Sequence, residues 1–193
     1  MPRAKQFNED EVLNKAITLF WTKGYHATSI NDLVQHLGIN RASLYDTFGD
    51  KEQLFKKALE HYREGNARGF RKFLNSQPDV RSGLKKLFQN AIEASVQDKE
   101  RKGCFVVNTT TELIPGNQTL LGILEENKKV FEGLFYSYLK EGEARGEFPP
   151  GKDLRSIASL LFVLYNGLKV VGKLEAEPIA LARAVNAILK LLD

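Results

Sequence analysis

The chain has 193 residues, 42% of them hydrophobic and 27% charged. That is enough for one ordinary domain, or for a small headpiece on a larger core domain. Its net charge of +4 is too modest by itself to identify a nucleic-acid partner. No stretch reads as long and apolar enough to span a bilayer, because the richest, Ile157 to Val171, is interrupted by Ser159, Asn166 and Lys169. Met1 to Asp10 holds no apolar signal core, and the single cysteine, Cys104, excludes an intrachain disulfide and a multi-cysteine metal site. The expected setting is therefore reducing and cytoplasmic, with no membrane partner.

Charge is unevenly spread. Residues 1–50 carry five Lys/Arg against six Asp/Glu, residues 51–75 seven against three, and residues 76–193 sixteen against fifteen. The excess lies between Lys51 and Lys72.

Helical periodicity runs throughout. A first helix opens on Asn8, whose side chain can hold free amides, with Glu9, Asp10 and Glu11 at the positive end of the dipole. It buries Val12, Leu13, Ala16, Ile17, Leu19 and Phe20 and stops near Lys23-Gly24. A second begins after Thr28 or Ser29 and carries Ile30, Leu33, Val34 and Leu37 to Gly38. A third runs from Asn40 to about Phe48-Gly49, and a fourth from Asp50 toward Phe70. After Pro78, helices are expected at about 79–98, 103–112, 118–145, 153–174 and 178–192. The β-branched run Gly103 to Thr111 is the best candidate for a strand, but is read as a short buried helix because its surroundings are helical. The fold expected is all-α. Residues 1–52 are expected to form a three-helix headpiece, 53–78 a connecting helix, and 79–193 a larger helical domain.

The informative stretch is Thr28 to Lys51. Two short helices meet at Gly38-Ile39-Asn40, where Gly permits a sharp turn, Ile39 plugs the corner and Asn40 caps the next helix, as in a helix-turn-helix. In the second short helix Leu44 and Phe48 face inward, and Arg41, Ala42, Tyr45 and Asp46 share other faces. Such an edge suits the major groove. Arg41 can grip guanine bidentately, Asn40 can reach adenine, Ala42 can touch a thymine methyl, and Tyr45 can hold a phosphate. Thr28, Ser29 and Lys51 lie at helix starts, where they can hold the DNA backbone.

The pattern Ala16…Phe20…Gly24-Tyr25…Thr28-Ser29-Ile30…Leu33…Leu37-Gly38-Ile39, followed by Leu44-Tyr45…Phe48-Gly49-Asp50-Lys51-Glu52…Leu54, resembles the tetracycline-repressor (TetR) family of regulators, most closely over Asn8 to Leu59. The resemblance implies that Tyr45 and Lys51 hold phosphates and that Asn40 to Ala42 read bases. Asp46 departs from the His or aromatic residue common there. An acid at that place repels phosphate unless it accepts from a cytosine amine or pairs with a cation. The resemblance also implies that the larger domain dimerises and binds an effector, with steric repression as the usual outcome.

The helix at 153–174 is apolar nearly all round and so is buried on more than one side. With 178–192 it could give a four-helix interface in a homodimer matched to a palindromic operator. A fully intrachain core is the alternative. For a partly apolar small-molecule effector, the candidate pocket residues are Phe88, Phe105, Asn108, Thr109, Glu112, Phe131, Phe135, Phe162, Tyr165 and Asn166. They mix aromatics with polar groups, though each also fits an ordinary core. Cys104 reads as a structural thiol or a redox sensor. His26, His36 and His61 show no metal spacing, and neither a phosphate loop nor a nucleophile elbow is present, so no enzyme and no cofactor are expected. A helical adaptor that binds protein is the competing function.

Overall fold

Side-chain caps set the frame of the N-terminal region. In the computed structural model, which describes residues 7–174 and 177–193, Asn8 Oδ1 accepts from the N–H groups of Asp10 and Glu11 at 2.9 and 3.3 Å, opening α1 (Glu9–Lys23). Ser29 opens α2 (Ile30–Leu37), Asn40 opens α3 (Arg41–Phe48), and Asp50 opens α4 (Lys51–Asn75). Each cap satisfies amides that a helix start leaves without partners.

The rest follows as α5 (Val80–Gln97), α6 (Phe105–Leu113), α7 (Gln118–Ala144), α8 (Leu154–Val171) and α9 (Pro178–Leu189), with short 3₁₀ turns after α6 and α9. Among the described residues all regular structure is helical. The β-branched run before Thr111 is indeed α6. There Thr109, Thr110 and Thr111 donate their hydroxyls back to the carbonyls of Phe105, Val106 and Val107, so the threonines satisfy themselves within the helix.

Two apolar clusters hold the chain together. The first joins Ala16, Phe20, Leu33, Leu37, Leu44 and Phe48 to Leu54, Phe55 and Leu59 of α4, and continues into Phe105 and Leu113 of α6 and Leu120 of α7. The second packs Phe70 and Leu74 of α4 with Leu84 and Phe88 of α5, Phe135 of α7, Leu161 of α8 and Leu189 of α9. Each fully buried Leu or Phe contributes about 1.5–3 kcal/mol. Apolar packing therefore crosses the limits read at 52 and 78, with α4 supplying one half of its length to each cluster. That second cluster also explains why α4 runs on to Asn75, beyond the Phe70 expected from sequence.

By length and composition α8 is long and apolar enough to cross a membrane, which corrects the expectation that no stretch is. Here one of its sides packs on α5, α7 and α9 through Leu154, Ile157, Ala158, Leu161 and Leu168. The other side shows Leu160, Val163, Val170 and Val171 on the protomer surface.

Candidate nucleic-acid interface and ligand cavity

The turn between α2 and α3 is built as its residues dictate. Gly38 adopts φ 70°, a left-handed value that side-chain-bearing residues avoid, and donates to the Val34 carbonyl at 3.2 Å. Ile39 is buried in the first cluster. Asn40 Oδ1 accepts from the N–H of Ser43 at 2.8 Å, so only the amide half of this side chain is left for an adenine edge. Leu44 and Phe48 anchor α3 inward, while Arg41, Ala42, Tyr45 and Asp46 are exposed. Tyr45 is 42% exposed, unusual for a large aromatic. Arg41 donates to Asn31 Oδ1 of α2 at 2.8 Å in an exposed contact that solvent or DNA can replace.

The supporting residues are engaged within the protein. Ser29 donates its hydroxyl and N–H to Asp32 Oδ2 at 2.6 and 2.8 Å and accepts from the Asp32 N–H at 3.1 Å, a reciprocal capping box. Lys23, 2.6 Å away, together with Ser29, holds the Asp32 carboxyl well below the usual carboxylate range. Thr28 is 1% exposed, and its hydroxyl donates to the Gly24 carbonyl. Lys51 Nζ donates to the carbonyls of Tyr25 and Thr28, both at 3.0 Å, and lies 4.2 Å from the Tyr25 ring centre. The geometry thus places Thr28 inside the α1–α2 turn rather than on a DNA-facing surface. Lys51 braces that turn and keeps one N–H free of it.

Glu112, near the end of α6, also grips this turn. Its carboxylate oxygens accept from the N–H groups of Tyr25 at 3.3 Å and His26 at 2.9 Å. Sequence reading places Glu112 among pocket residues; its observed partners also tie the C-terminal region to the headpiece. With Glu112→Ala, hydrogen exchange at the Tyr25 and His26 amides should speed up by about 10-fold or more, since local opening loses its strongest acceptor. Unchanged protection would show that the contact does not restrain the turn.

Behind the headpiece lies a cavity of about 460 Å³, within the ordinary range for small-molecule sites. Its wall takes Trp21 from α1, Tyr62, Asn66, Phe70 and Phe73 from α4, and Asn127 and Phe131 from α7. Cys104 precedes α6, and Phe162, Tyr165, Asn166 and Lys169 come from α8. Gly65 and Gly69 of α4 complete one side, and a Cβ at either would meet no atom within 4 Å. Burial raises Tyr62, pushes Tyr165 up to about 12 and lowers Lys169, all marks of a poorly solvated space.

Of the residues expected to line a pocket, Phe131, Phe162, Tyr165 and Asn166 are in this wall. Phe105, Asn108, Thr109 and Glu112 line a second cleft of about 620 Å³ between α1 and α6. There Asn108 already has partners, donating to the Lys102 carbonyl and accepting from Lys173 Nζ at 2.6 Å. Phe88 and Phe135 line neither space; they are fully buried in the second cluster, where both rings meet Tyr165 edge-on. Sequence reasoning missed Trp21, Tyr62 and Lys169. The available signal for Lys169 was a cation set in an otherwise apolar helix.

His26 and His36 are exposed, and His61 lies 3.8 Å from Asp10. Among the described residues no three His, Cys, Asp or Glu side chains are grouped as a metal site.

Comparison with known proteins agrees with this architecture. Residues 12–58 match the family of bacterial regulatory proteins of the TetR type, and residues 81–188 match the tetracyclin repressor-like C-terminal domain. The chain is 33% identical to the uncharacterised HTH-type transcriptional regulator YezE of Bacillus subtilis, over the full length of both. It is 31% identical to the HTH-type transcriptional repressor ComR of Escherichia coli, covering 89% of this chain and 82% of that one. A solved structure of the TetR-family regulator CifR, in a cysteine-substituted form with 26-base-pair double-stranded operator DNA, superposes with a TM-score of 0.83 at 29% identity over 98% of each chain. The exposed edge of α3 on its capped frame, the helical order and these matches together establish that the chain belongs to the TetR family of transcriptional regulators, which are DNA-binding proteins and not enzymes.

Proposed function

We propose that this protein is a homodimeric cytoplasmic repressor that holds a palindromic operator through two copies of α3 and releases it when a small molecule fills the cavity. The observation that carries the DNA reading is the exposed edge Arg41, Ala42, Tyr45 and Asp46, set on a helix whose other side is locked into the core by Leu44 and Phe48. Arg41, Ala42 and the Asn40 amide face bases. Tyr45 and the helix start at Ser29 hold phosphates. Asp46 takes a cytosine amine. Lys51 acts chiefly by fixing the turn that carries these groups.

Support for release comes from the cavity wall. Trp21 belongs to the headpiece, Phe162 and Lys169 to the far side of the C-terminal region, and α4 runs past both. An occupant that wedges these helices apart changes the angle of each headpiece, and with it the distance between two recognition helices that must match half-sites about 34–36 Å apart.

The reading is tested by fluorescence anisotropy on operator and scrambled duplexes over a salt series. Affinity for operator should fall steeply with salt, because phosphate contacts release counterions. Arg41→Ala should weaken operator binding by about 10- to 100-fold and scrambled binding far less, since a bidentate guanine contact is worth about 1–3 kcal/mol. Equal losses on both duplexes would remove Arg41 from base reading.

A further inference from the structure

The cavity carries information about its occupant that goes beyond the reading above, on which it rests. Lys169 lines the cavity half-buried, and among the described residues it has no ion-pair partner. Its ammonium lies 5.1 Å from the Tyr165 ring centre, a contact too weak to replace full hydration. Two other charged groups lie in the wall. Asp98 accepts from the N–H of Gly103 at 3.0 Å, and Lys102 pairs with Glu100 at 2.8 Å. Lys173, one turn beyond Lys169, is held by Asn108 and adds a second positive charge to the end of this helix. A poorly solvated cation without a counter-ion is costly unless something supplies one.

The Trp21 side chain adds an aromatic ring to the same wall. The wall therefore offers a cation without an ion pair and, around it, the rings of Tyr62, Phe70, Phe131 and Phe162, interspersed with Asn66, Asn127 and Asn166. Flat rings favour stacked or edge-on aromatic guests.

We infer that the effector is a planar aromatic carboxylate, its anion paired with Lys169 and its ring seated among the aromatics of α4, α7 and α8. Because Trp21 is part of α1, the same occupant touches the headpiece directly.

Isothermal titration calorimetry and operator anisotropy with three probes test this: 2-naphthoate, its neutral isostere 2-naphthalenemethanol, and the aliphatic anion decanoate. The expected result is that 2-naphthoate binds and weakens operator affinity, with the alcohol and decanoate each at least about 10-fold weaker as ligands. Lys169→Met removes a desolvated charge while keeping the stem, so it should fold and bind operator normally. It should lose the preference for naphthoate over the alcohol. Naphthoate failing to bind, or the alcohol matching it in the wild-type protein, overturns the proposal. Decanoate matching naphthoate, or Lys169→Met keeping the preference, does the same. Operator binding without any ligand is read in the same experiment, so a failed ligand class is distinguished from a failure of the DNA-binding reading.

Discussion

Val163→Asp is expected to give a folded monomer that binds operator at least about 100-fold more weakly than the parent protein. Val163 is 61% exposed in the protomer, and a substitution at such a place costs the fold little. It stands in a stripe of Leu160, Val163, Gly167, Val170 and Leu174, spaced by three and four residues along α8 and its end, with Ile179 of α9 equally bare; Leu174 and Ile179 are each 69% exposed. A stripe at this spacing is the seam along which helices pair, and Gly167 in its middle, where a Cβ would meet nothing within 4 Å, permits close approach of a second helix. In the proposed dimer, an Asp in the centre of such a seam would face its symmetry copy and lose water, at a cost of several kcal/mol. Uncoupled headpieces then bind half-sites separately and lose the gain from linkage, which is typically about 10²- to 10⁴-fold. Sedimentation velocity gives the mass and anisotropy the affinity. A dimer of undiminished operator affinity would mean that this face is not the interface.

Lys51→Met should lower unfolding stability by about 2–3 kcal/mol, because hydrogen bonds from a charged donor are worth about 1.5–3 kcal/mol and two carbonyls lose that donor together. Tyr25 and Thr28 keep their places in the chain, but their carbonyls are left facing an apolar methyl group. Operator affinity should fall as well, and the salt slope says why. If Lys51 only positions the turn, the slope of log affinity against log salt stays as it was. If it also neutralises a phosphate through its remaining N–H, the slope shrinks by about 1. Urea denaturation supplies the first number and a salt titration the second. Stability within experimental error of the parent protein would remove the brace described for this lysine.

Helix limits were legible because the chain marks them with side chains that act locally. Asn8, Asn40, Asp50, Asn117 and Asp153 each accept from an amide two or three residues on, and Gly24, Gly38 and Gly49 follow the last turns of α1, α2 and α3. The expected helix at 118–145 is Gln118–Ala144, and that at 178–192 is Pro178–Leu189 with a 3₁₀ turn to Leu192. The inward and outward faces of α3 followed from a four-residue spacing, which is also local. What sequence did not disclose depends on partners far along the chain. Lys51 meets carbonyls 23 and 26 residues earlier, and Glu112 meets amides 86 and 87 residues earlier. No spacing rule reaches that distance. Aromatics on α5 and α7 gave no sign of whether they fill the core, as Phe88 and Phe135 do, or edge a space, as Phe131 does.

The two glycines of α4 that face the cavity bear on how such a regulator diversifies. A methyl group added at residue 65 or 69 meets open room rather than another atom, and alanine suits a helix better than glycine by about 1 kcal/mol. Descendants of this sequence can therefore narrow the chamber stepwise, through alanine and then larger side chains, without first repairing a damaged fold. If the cavity takes the effector as proposed, new chemical signals become reachable by single changes along one wall, while the exposed edge of α3, some twenty residues upstream on a separate helix, stays as it is.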